Sequence, residues 1–165
     1  MAQTVNGMIA RSNGETPWSE AEWKSFFKTA KEYPVLVMGS KTYNIMIKSK
    51  ELEKISPKLI IVLSHKNKIK PQKGLVVVHS PREVINYLNQ QKCPSALLIG
   101  GAKTNIAFLN EHFINEIIVD VEPLVFGKGI PLFAEGVVEA RLRLAGIKKI
   151  GINTVQLRYK VGEVV

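Results

Sequence analysis

Two apolar runs each end in glycine and are followed within a few residues by Lys-Thr, where a helix is predicted to begin. Residues 35–38 lead into Gly39-Ser40-Lys41-Thr42, and residues 96–99 lead into Gly100-Gly101-Ala102-Lys103-Thr104. A strand that turns into a helix exposes free backbone N–H groups and the positive end of the helix dipole, which together bind phosphate. Glycine lets the ligand approach the backbone closely. Two such turns in one chain indicate a ligand with phosphates at its ends or along its middle, such as a dinucleotide.

Apolar runs and helical patterns alternate around these turns. Strands are predicted over residues 2–5, 8–10, 35–38, 59–63, 75–78, 96–99 and 117–121, and helices over 20–31, 41–47, 81–90 and 104–109. The tail predicts a β-hairpin, 140–147 and 154–161, that turns through Gly151-Ile152-Asn153. Continuous Val/Ile/Leu runs separated by helices are typical of parallel sheets covered on both faces. We therefore predict an α/β three-layer sandwich with a mixed, mainly parallel central sheet and a C-terminal β-hairpin.

The composition is that of an ordinary globular chain. The 165 residues are 45% hydrophobic, which favours one domain over 1–165 with one substantial core. No apolar run is long enough to span a bilayer, and no signal-peptide pattern is present, so we expect a cytoplasmic protein. The single cysteine excludes an internal disulfide. The three histidines are scattered without ligand spacing, so no metal site is predicted.

The formal net charge of +9 is the outlier of the composition. A solvated lysine-rich surface or a phosphate-bearing ligand accounts for it. Nucleic acid is a weaker explanation, because no basic block is interleaved with aromatic residues. We expect a small-molecule substrate, no nucleic-acid or membrane partner, and either a monomer or a homodimer.

Glu22 is the acidic residue with the greatest chemical interest, and two roles for it stay open. It follows Ser19 by three residues, the spacing of a capping box at a helix start. It also precedes Phe26 by four residues, with Phe27 beside it, so its carboxylate would border an apolar pocket. A carboxylate in such a pocket has a raised pKa and can pass a proton to a flat nitrogen heterocycle.

The order of several short motifs resembles the dihydrofolate reductase superfamily over nearly the whole chain. The motifs are Pro17-Trp18, Glu22 with Phe26, Val37-Met38-Gly39-x-x-Thr42-Tyr43, Ile61-Val62-Leu63-Ser64 and Ile99-Gly100-Gly101. Two other segments look more like the sister branch, the riboflavin-pathway reductase domains. These are Thr4-Val5-Asn6-Gly7-Met8-Ile9-Ala10 and the stretch 122–133.

The resemblance implies NADPH as cofactor and the reduction of 7,8-dihydrofolate to tetrahydrofolate. The alternative is NADPH-dependent reduction of 5-amino-6-(5-phosphoribosylamino)uracil in riboflavin biosynthesis. Glu22 is implied as the catalytic acid, and the implied substrate-binding residues are Phe26, Phe27, Lys58 and Asp120. Lys66, with Ser64 and His65, is implied at the 2′-phosphate. The implied cofactor-binding residues are Ala10, Gly39, Ser40, Lys41, Thr42, Leu63, Ser64, His65, Gly100, Gly101, Ala102, Lys103 and Thr104.

Four positions depart from the family patterns. Lys58 and Ser40 stand where arginine is common, and lysine lacks the bidentate fork of arginine. Asp120 stands where the reductases usually have a hydroxyl residue, which leaves it as a second candidate for the key acid. Asn6 replaces the aspartate of the riboflavin branch's Ser-x-Asp-Gly motif.

Overall fold

The computed structural model describes residues 1–65, 69–70 and 73–164. Within these residues, the strands are β1 (Ala2–Thr4), β2 (Met8–Arg11), β3 (Val35–Gly39), β4 (Leu59–Leu63), β5 (Leu75–Val78), β6 (Leu97–Gly100), β7 (Glu116–Glu122), β8 (Gly129–Pro131), β9 (Ala140–Lys149) and β10 (Val155–Val164). The helices are α1 (Glu20–Lys31), α2 (Ser40–Lys48), α3 (Glu51–Ile55), α4 (Pro81–Gln90) and α5 (Ala102–Asn110).

A four-stranded parallel sheet in the order β5-β4-β3-β6 carries helices on both of its faces. Successive side chains of a strand point to opposite faces. Leu36 and Met38 therefore pack among α1, α2 and α3, whereas Val35 and Val37 pack among α4 and α5. All four are at most 2% exposed. This two-sided burial is the reason why β3 reads as an uninterrupted apolar run.

A second four-stranded sheet has the order β1-β7-β10-β9 and is mixed. β1 runs parallel to β7, with Ala2 opposite Asp120, and β10 runs antiparallel to both β7 and β9. β2 pairs with β8 in a small separate ribbon. The predicted α/β class is confirmed: the strand pairings are mixed, helices cover both faces of the parallel sheet, and the chain ends in a β-hairpin.

Two short elements were not predicted. α3 has five residues and β8 has three, and neither is long enough to show a helical or a strand periodicity. Both hairpin strands also run longer than predicted, because β9 continues to Lys149 and β10 to Val164.

Glu122 ties the start of α1 to β7 and to the turn before β10. Its carboxylate accepts hydrogen bonds from the Ser19 backbone N–H at 3.2 Å and from the Ser19 hydroxyl at 2.8 Å. It also accepts one from the Thr154 hydroxyl at 3.1 Å. The side chain is buried, and these three bonds compensate for its loss of water. This carboxylate therefore fixes the position of α1 against the second sheet.

Among the described residues, no helix has both the length and the apolar character that crossing a membrane requires.

We predict that Glu122→Ala destabilises the protein by about 2–5 kcal/mol, because it leaves the half-buried donors of Ser19 and the buried Thr154 hydroxyl without their acceptor. Thermal denaturation of the ligand-free protein measures the effect. Glu139→Ala is the matched control, since Glu139 is an exposed glutamate just before β9. Equal melting temperatures for the two variants would contradict the structural role of Glu122.

Candidate active site

The two glycine turns predicted from the sequence lie side by side. β3 and β6 are neighbouring parallel strands, so their carboxyl ends open at the same edge of the sheet. A Cβ placed on Gly39 would lie only 2.5 Å from the Thr104 hydroxyl oxygen. A Cβ placed on Gly101 would lie 3.7 Å from the Thr42 hydroxyl oxygen. The two Gly-to-Thr segments therefore touch, and they form one site rather than two.

The site lies at a switch point of the sheet. The helix that follows β3, α2, sends Tyr43 and Met46 into the core on one face. The helix that follows β6, α5, sends Phe108 into the core on the other face. Two chain segments that leave neighbouring strands towards opposite faces open a crevice between them, and open α/β sheets bind nucleotides in such crevices.

Both helices at the crevice start without a side-chain cap. Gly39 is the N-cap of α2 and Gly101 the N-cap of α5, and neither can offer a capping side chain. By contrast, the serines Ser19 and Ser80 cap α1 and α4 with their hydroxyl oxygens. Among the described residues, no side chain caps the first N–H groups of α2 and α5, although the Thr104 N–H bonds to the Gly101 carbonyl at 2.9 Å. The helix dipoles favour an anion at both starts.

Gly100 has a conformation and a packing environment that both require glycine. Its φ is +96°, and an added Cβ would lie 2.9 Å from the Asn105 side-chain oxygen. Asn105 is itself buried and donates from its amide nitrogen to the Leu132 carbonyl at 2.7 Å. The Gly100–Gly101 peptide bond is cis. Asn105 was not among the predicted site residues, although it occupies the first turn of α5.

The carboxyl end of β4 supplies the third predicted cofactor segment, Leu63 to His65. The Ser64 N–H bonds to the Val78 carbonyl at 2.9 Å, and the Ser64 carbonyl lies 2.7 Å from His79 Nδ1. Ser64 is buried and His65 is exposed. Lys66, predicted beside them, lies outside the described residues.

The two lysines of the glycine turns are exposed and lie on different sides of the crevice. Lys41 follows β3, the neighbour of β4, whereas Lys103 follows β6 on the far side of β3. Lys41 is therefore the better placed of the two for a phosphate near the end of β4. Lys103 is better placed for a phosphate over the Gly100 turn.

Glu22 is a buried acid, with 3% of its surface exposed, and its Oε2 has no hydrogen-bond partner among the described residues. Burial raises the pKa of Glu22 to about 8, in spite of the Met1 ammonium, which lowers it. The neighbouring carboxylates of Asp120 and Glu122 contribute to this rise. The Glu22 carboxyl therefore holds a proton at neutral pH.

The structure separates the two roles that the sequence left open for Glu22. Ser19 caps α1 as predicted, since its hydroxyl accepts from the Glu22 N–H at 3.2 Å. The return bond of a capping box, from the residue-22 side chain to the Ser19 N–H, is absent from the described structure. Glu122 takes that N–H instead. The Glu22 carboxyl thus has no capping function.

Asp120 is also buried, but it is held by a partner. Gln156 donates to it from Nε2 at 2.9 Å, and the same nitrogen lies 3.1 Å from the Ser25 hydroxyl of α1. Gln156 was not among the predicted site residues, although a glutamine at an alternating position of an apolar strand is a detectable signal. With Asp120 fixed in this way, Glu22 is the more available proton donor of the two.

The remaining predicted substrate residues do not all meet at one place. Phe26 and Phe27 are half-buried on α1, with ring centroids 5.5 Å apart, and Lys54 of α3 lies over the Phe27 ring at 5.6 Å. Lys58 is exposed just before β4, and its N–H bonds to the Pro34 carbonyl at 3.1 Å. It therefore lies at the amino end of the parallel strands, opposite the glycine turns.

Asn6 fixes the loop between β1 and β2, whereas Ala10 is buried in β2 opposite Ile130. Asn6 accepts from the Thr4 hydroxyl at 2.7 Å and from the Phe126 N–H at 3.2 Å, and it donates to the Phe126 carbonyl at 2.8 Å. An aspartate at this position would lack the donor. The amide thus accounts for the departure from the Ser-x-Asp-Gly pattern.

Two curated proteins of Bacillus subtilis (strain 168) are similar to this chain over most of their lengths. The uncharacterized protein YwjB is 28% identical over 170 residues, covering 96% of this chain and 94% of YwjB. The uncharacterized protein YyaP is 24% identical over 172 residues, covering 96% of this chain and 91% of YyaP.

Solved structures with the same fold come from riboflavin-pathway proteins. A Shewanella sp. PV-4 protein provisionally named for riboflavin biosynthesis superposes with a TM-score of 0.83 at 22% identity, over 99% of this chain and 97% of its own. Acinetobacter baumannii RibD superposes with a TM-score of 0.78 at 17% identity, over 98% of this chain and 56% of RibD. The third is a Thermotoga maritima diaminohydroxyphosphoribosylaminopyrimidine deaminase/5-amino-6-(5-phosphoribosylamino)uracil reductase. It superposes with a TM-score of 0.71 at 14% identity, over 98% of this chain and 55% of its own.

A family model decides between the two branches of the superfamily. The model of the RibD C-terminal domain matches residues 1–156. Dihydrofolate reductase, the main activity predicted from the resemblance, has no support in these comparisons, and the riboflavin-pathway alternative is the better supported of the two. The chain belongs to the family of RibD C-terminal domains, within the dihydrofolate reductase-like fold.

Proposed function

We propose that this protein is an NADPH-dependent reductase of a ribosylaminopyrimidine phosphate. The name of the Thermotoga maritima protein includes a reductase of such a compound, 5-amino-6-(5-phosphoribosylamino)uracil. The observation that carries the proposal is the contact between the two uncapped glycine turns after β3 and β6. It supports a dinucleotide cofactor, because a dinucleotide presents phosphates to both turns at once. Membership of the RibD C-terminal family supports the substrate class.

The residues of the crevice fit NADPH. The first turns of α2 and α5 would hold phosphate oxygens with their backbone N–H groups. Gly39 and Gly100 leave no room for a Cβ, so the backbone itself forms the surface. Lys41, with Ser64 and His65 at the end of β4, would hold the 2′-phosphate. When bound, NADPH supplies a hydride to the substrate.

Glu22 supplies the proton in this proposal. The reduction adds a hydride to the carbon and a proton to the nitrogen of the C=N bond in the open-chain form of the ribosylamino group, giving a ribitylamino group and NADP⁺. A carboxyl with a pKa of about 8 is protonated before reaction at neutral pH. A catalytic pKa near the working pH gives efficient general acid catalysis. The Oε2 of Glu22, which is buried without a hydrogen-bond partner among the described residues, is the oxygen that would donate to a substrate nitrogen.

The experiment that tests the function follows NADPH absorbance with 5-amino-6-(5-phosphoribosylamino)uracil and with 7,8-dihydrofolate in parallel. We expect oxidation with the pyrimidine, and a loss of turnover of about 10²–10⁴-fold in Glu22→Gln, which cannot donate the proton. Oxidation with dihydrofolate alone would overturn the substrate class. NADPH binding without oxidation by either compound would indicate a nucleotide-binding module instead of an enzyme.

Gly39→Ala tests the cofactor site. Its Cβ would meet the Thr104 hydroxyl oxygen at 2.5 Å, so either the Thr104 side chain or one of the turns must shift. We expect NADPH affinity to fall at least about tenfold, or about 1.4 kcal/mol. Adding Thr104→Ala removes the clashing oxygen and should restore part of the affinity. Gly127→Ala is the control, since its Cβ would meet nothing within 4 Å. Titration of NADPH fluorescence gives the affinities. Equal affinities for Gly39→Ala and Gly127→Ala would contradict the cofactor site.

The raised pKa of Glu22 also predicts that the free energy of unfolding depends on pH. Its pKa is raised from 4.5 to about 8 in the folded state, so the folded protein binds the extra proton between these values. The contribution of Glu22 to the free energy of unfolding should therefore fall as pH rises from about 4.5 to about 8, by at most about 1.4 kcal/mol per pH unit. Urea denaturation of wild type and Glu22→Gln measures the difference. A difference that is constant across this window would refute the raised pKa.

A further inference from the structure

Gln156 is a buried glutamine on the face of β10 that packs towards α1. It lies opposite Asp120 of β7 in the antiparallel pairing, and 8% of its surface is exposed. Its Nε2 lies 2.9 Å from Asp120 Oδ1 and 3.1 Å from the Ser25 hydroxyl oxygen. A primary amide nitrogen carries two N–H groups and cannot accept a hydrogen bond. Gln156 therefore donates to both partners, and it joins β7, β10 and α1 at one point.

This amide lies beside a pair of buried acids. Ser25 comes three residues after Glu22, so their side chains lie on the same side of α1. Glu22 and Asp120 are each 3% exposed. Burial is the largest cause of the raised pKa of Glu22, and the charge of Asp120 is close enough to add to it. The charge on one acid thus makes the charge on the other less favourable.

Other charged groups also face Glu22. Glu122 on β7 and Glu51 on α3 add to the rise of its pKa, whereas the Met1 ammonium lowers it. Within the residues that the structure describes, Asp120 is the acid to which Gln156 is hydrogen-bonded. Gln156 therefore acts on this set of charges through Asp120.

Hydrogen bonds decide which member of the pair carries a proton. Two strongly interacting acids bind their first proton as a pair, and a donor directed at one carboxylate favours the charged form of that member. Such a bond is charge-assisted and therefore stronger than a bond between neutral groups. Asp120 has this donor in Gln156, whereas Glu22 Oε2 has no hydrogen-bond partner among the described residues. The arrangement favours the proton on Glu22.

We propose that Gln156 is a positioning residue of the reaction: its amide keeps Asp120 charged and thereby leaves the proton of the pair on Glu22. The catalytic use of this proton rests on the function proposed above. In that reaction Glu22 passes one proton to the substrate nitrogen, becomes a carboxylate, and takes its next proton from water. The amide of Gln156 neither gains nor loses a proton.

The position of the proton can be measured directly, because Asp120 is the only aspartate of the 165 residues. Labelling with ¹³Cγ-aspartate therefore gives one titrating carboxyl resonance, which is followed in ligand-free protein from about pH 4 to about pH 9. Gln156→Met keeps a flexible, unbranched side chain and removes both N–H groups. Ser25→Ala is the matched control, because it breaks the other bond of the same amide and leaves the bond to Asp120.

In wild type and in Ser25→Ala, we expect the Asp120 resonance to move little in the pH range where Glu22 loses its proton. In Gln156→Met, at least about a third of the Asp120 titration should fall in that range, because the pair then shares the proton. An Asp120 titration in Gln156→Met that equals that of wild type would overturn the proposal. Gln156→Leu, which also lacks a donor, provides the same measurement if Gln156→Met folds poorly.

The pH profile of turnover tests the connection with the reaction. We expect kcat of Gln156→Met to fall at least about threefold at neutral pH and to recover in acid, where both acids are protonated. A merely structural role predicts an equal loss at every pH, and that result would overturn the role of Gln156 in the reaction. A shifted Asp120 titration in a protein that does not oxidise NADPH would refute the proposed reductase and support the placement of the proton by Gln156.

Discussion

The parallel pairing of β3 with β6 is the constraint on which the proposed site depends. These strands are far apart in the sequence, and each carries its own glycine turn and its own helix. Because they pair, a Cβ placed on Gly39 would lie only 2.5 Å from the Thr104 hydroxyl oxygen. β3 is apolar on both of its faces, so Leu36 packs against one helical layer and Val37 against the other. This packing holds β3 and its neighbour β6 at the centre of the fold. The five residues of β3 thus take part both in the packing of the core and in bringing the two glycine turns together.

Much of the fold and the positions of the two glycine turns could be predicted because both depend on local signals. Apolar runs, glycines and serine caps mark strand ends and helix starts directly, as at Gly39, Gly100 and Ser19. Contacts between distant segments could not be predicted in this way. Nothing in the local sequence shows that Glu122 would reach Ser19, or that Gln156 would bridge Asp120 and Ser25, because these pairs depend on how β7 and β10 meet α1. Lys58 shows the same limit, since its sequence context does not reveal that it lies at the opposite end of the strands.

The acids Glu22, Asp120 and Glu122 are all buried, and their hydrogen-bond partners give them different properties. Glu122 accepts three hydrogen bonds, and Asp120 accepts one from Gln156. Glu22 keeps one oxygen without a partner among the described residues, and its pKa rises to about 8. Hydrogen bonds to a carboxylate favour its charged form, whereas burial without them favours the protonated form. Each charge on Asp120 and Glu122 also makes ionisation of Glu22 less favourable. The charges of Asp120 and Glu122 therefore help to keep Glu22 protonated.

The bond between Glu122 and Ser19 has a consequence for how this site can evolve. In an ordinary capping box, the third helical residue must be Glu or Gln to hold the helix start, so chemistry and stability compete for one position. Here a distant strand meets that requirement, and the side chain at position 22 carries no part of it. Substitutions at position 22 can change the reactivity of the pocket while the start of α1 stays in place. The residue proposed to serve the chemistry and the residue that holds the start of α1 are therefore two different side chains.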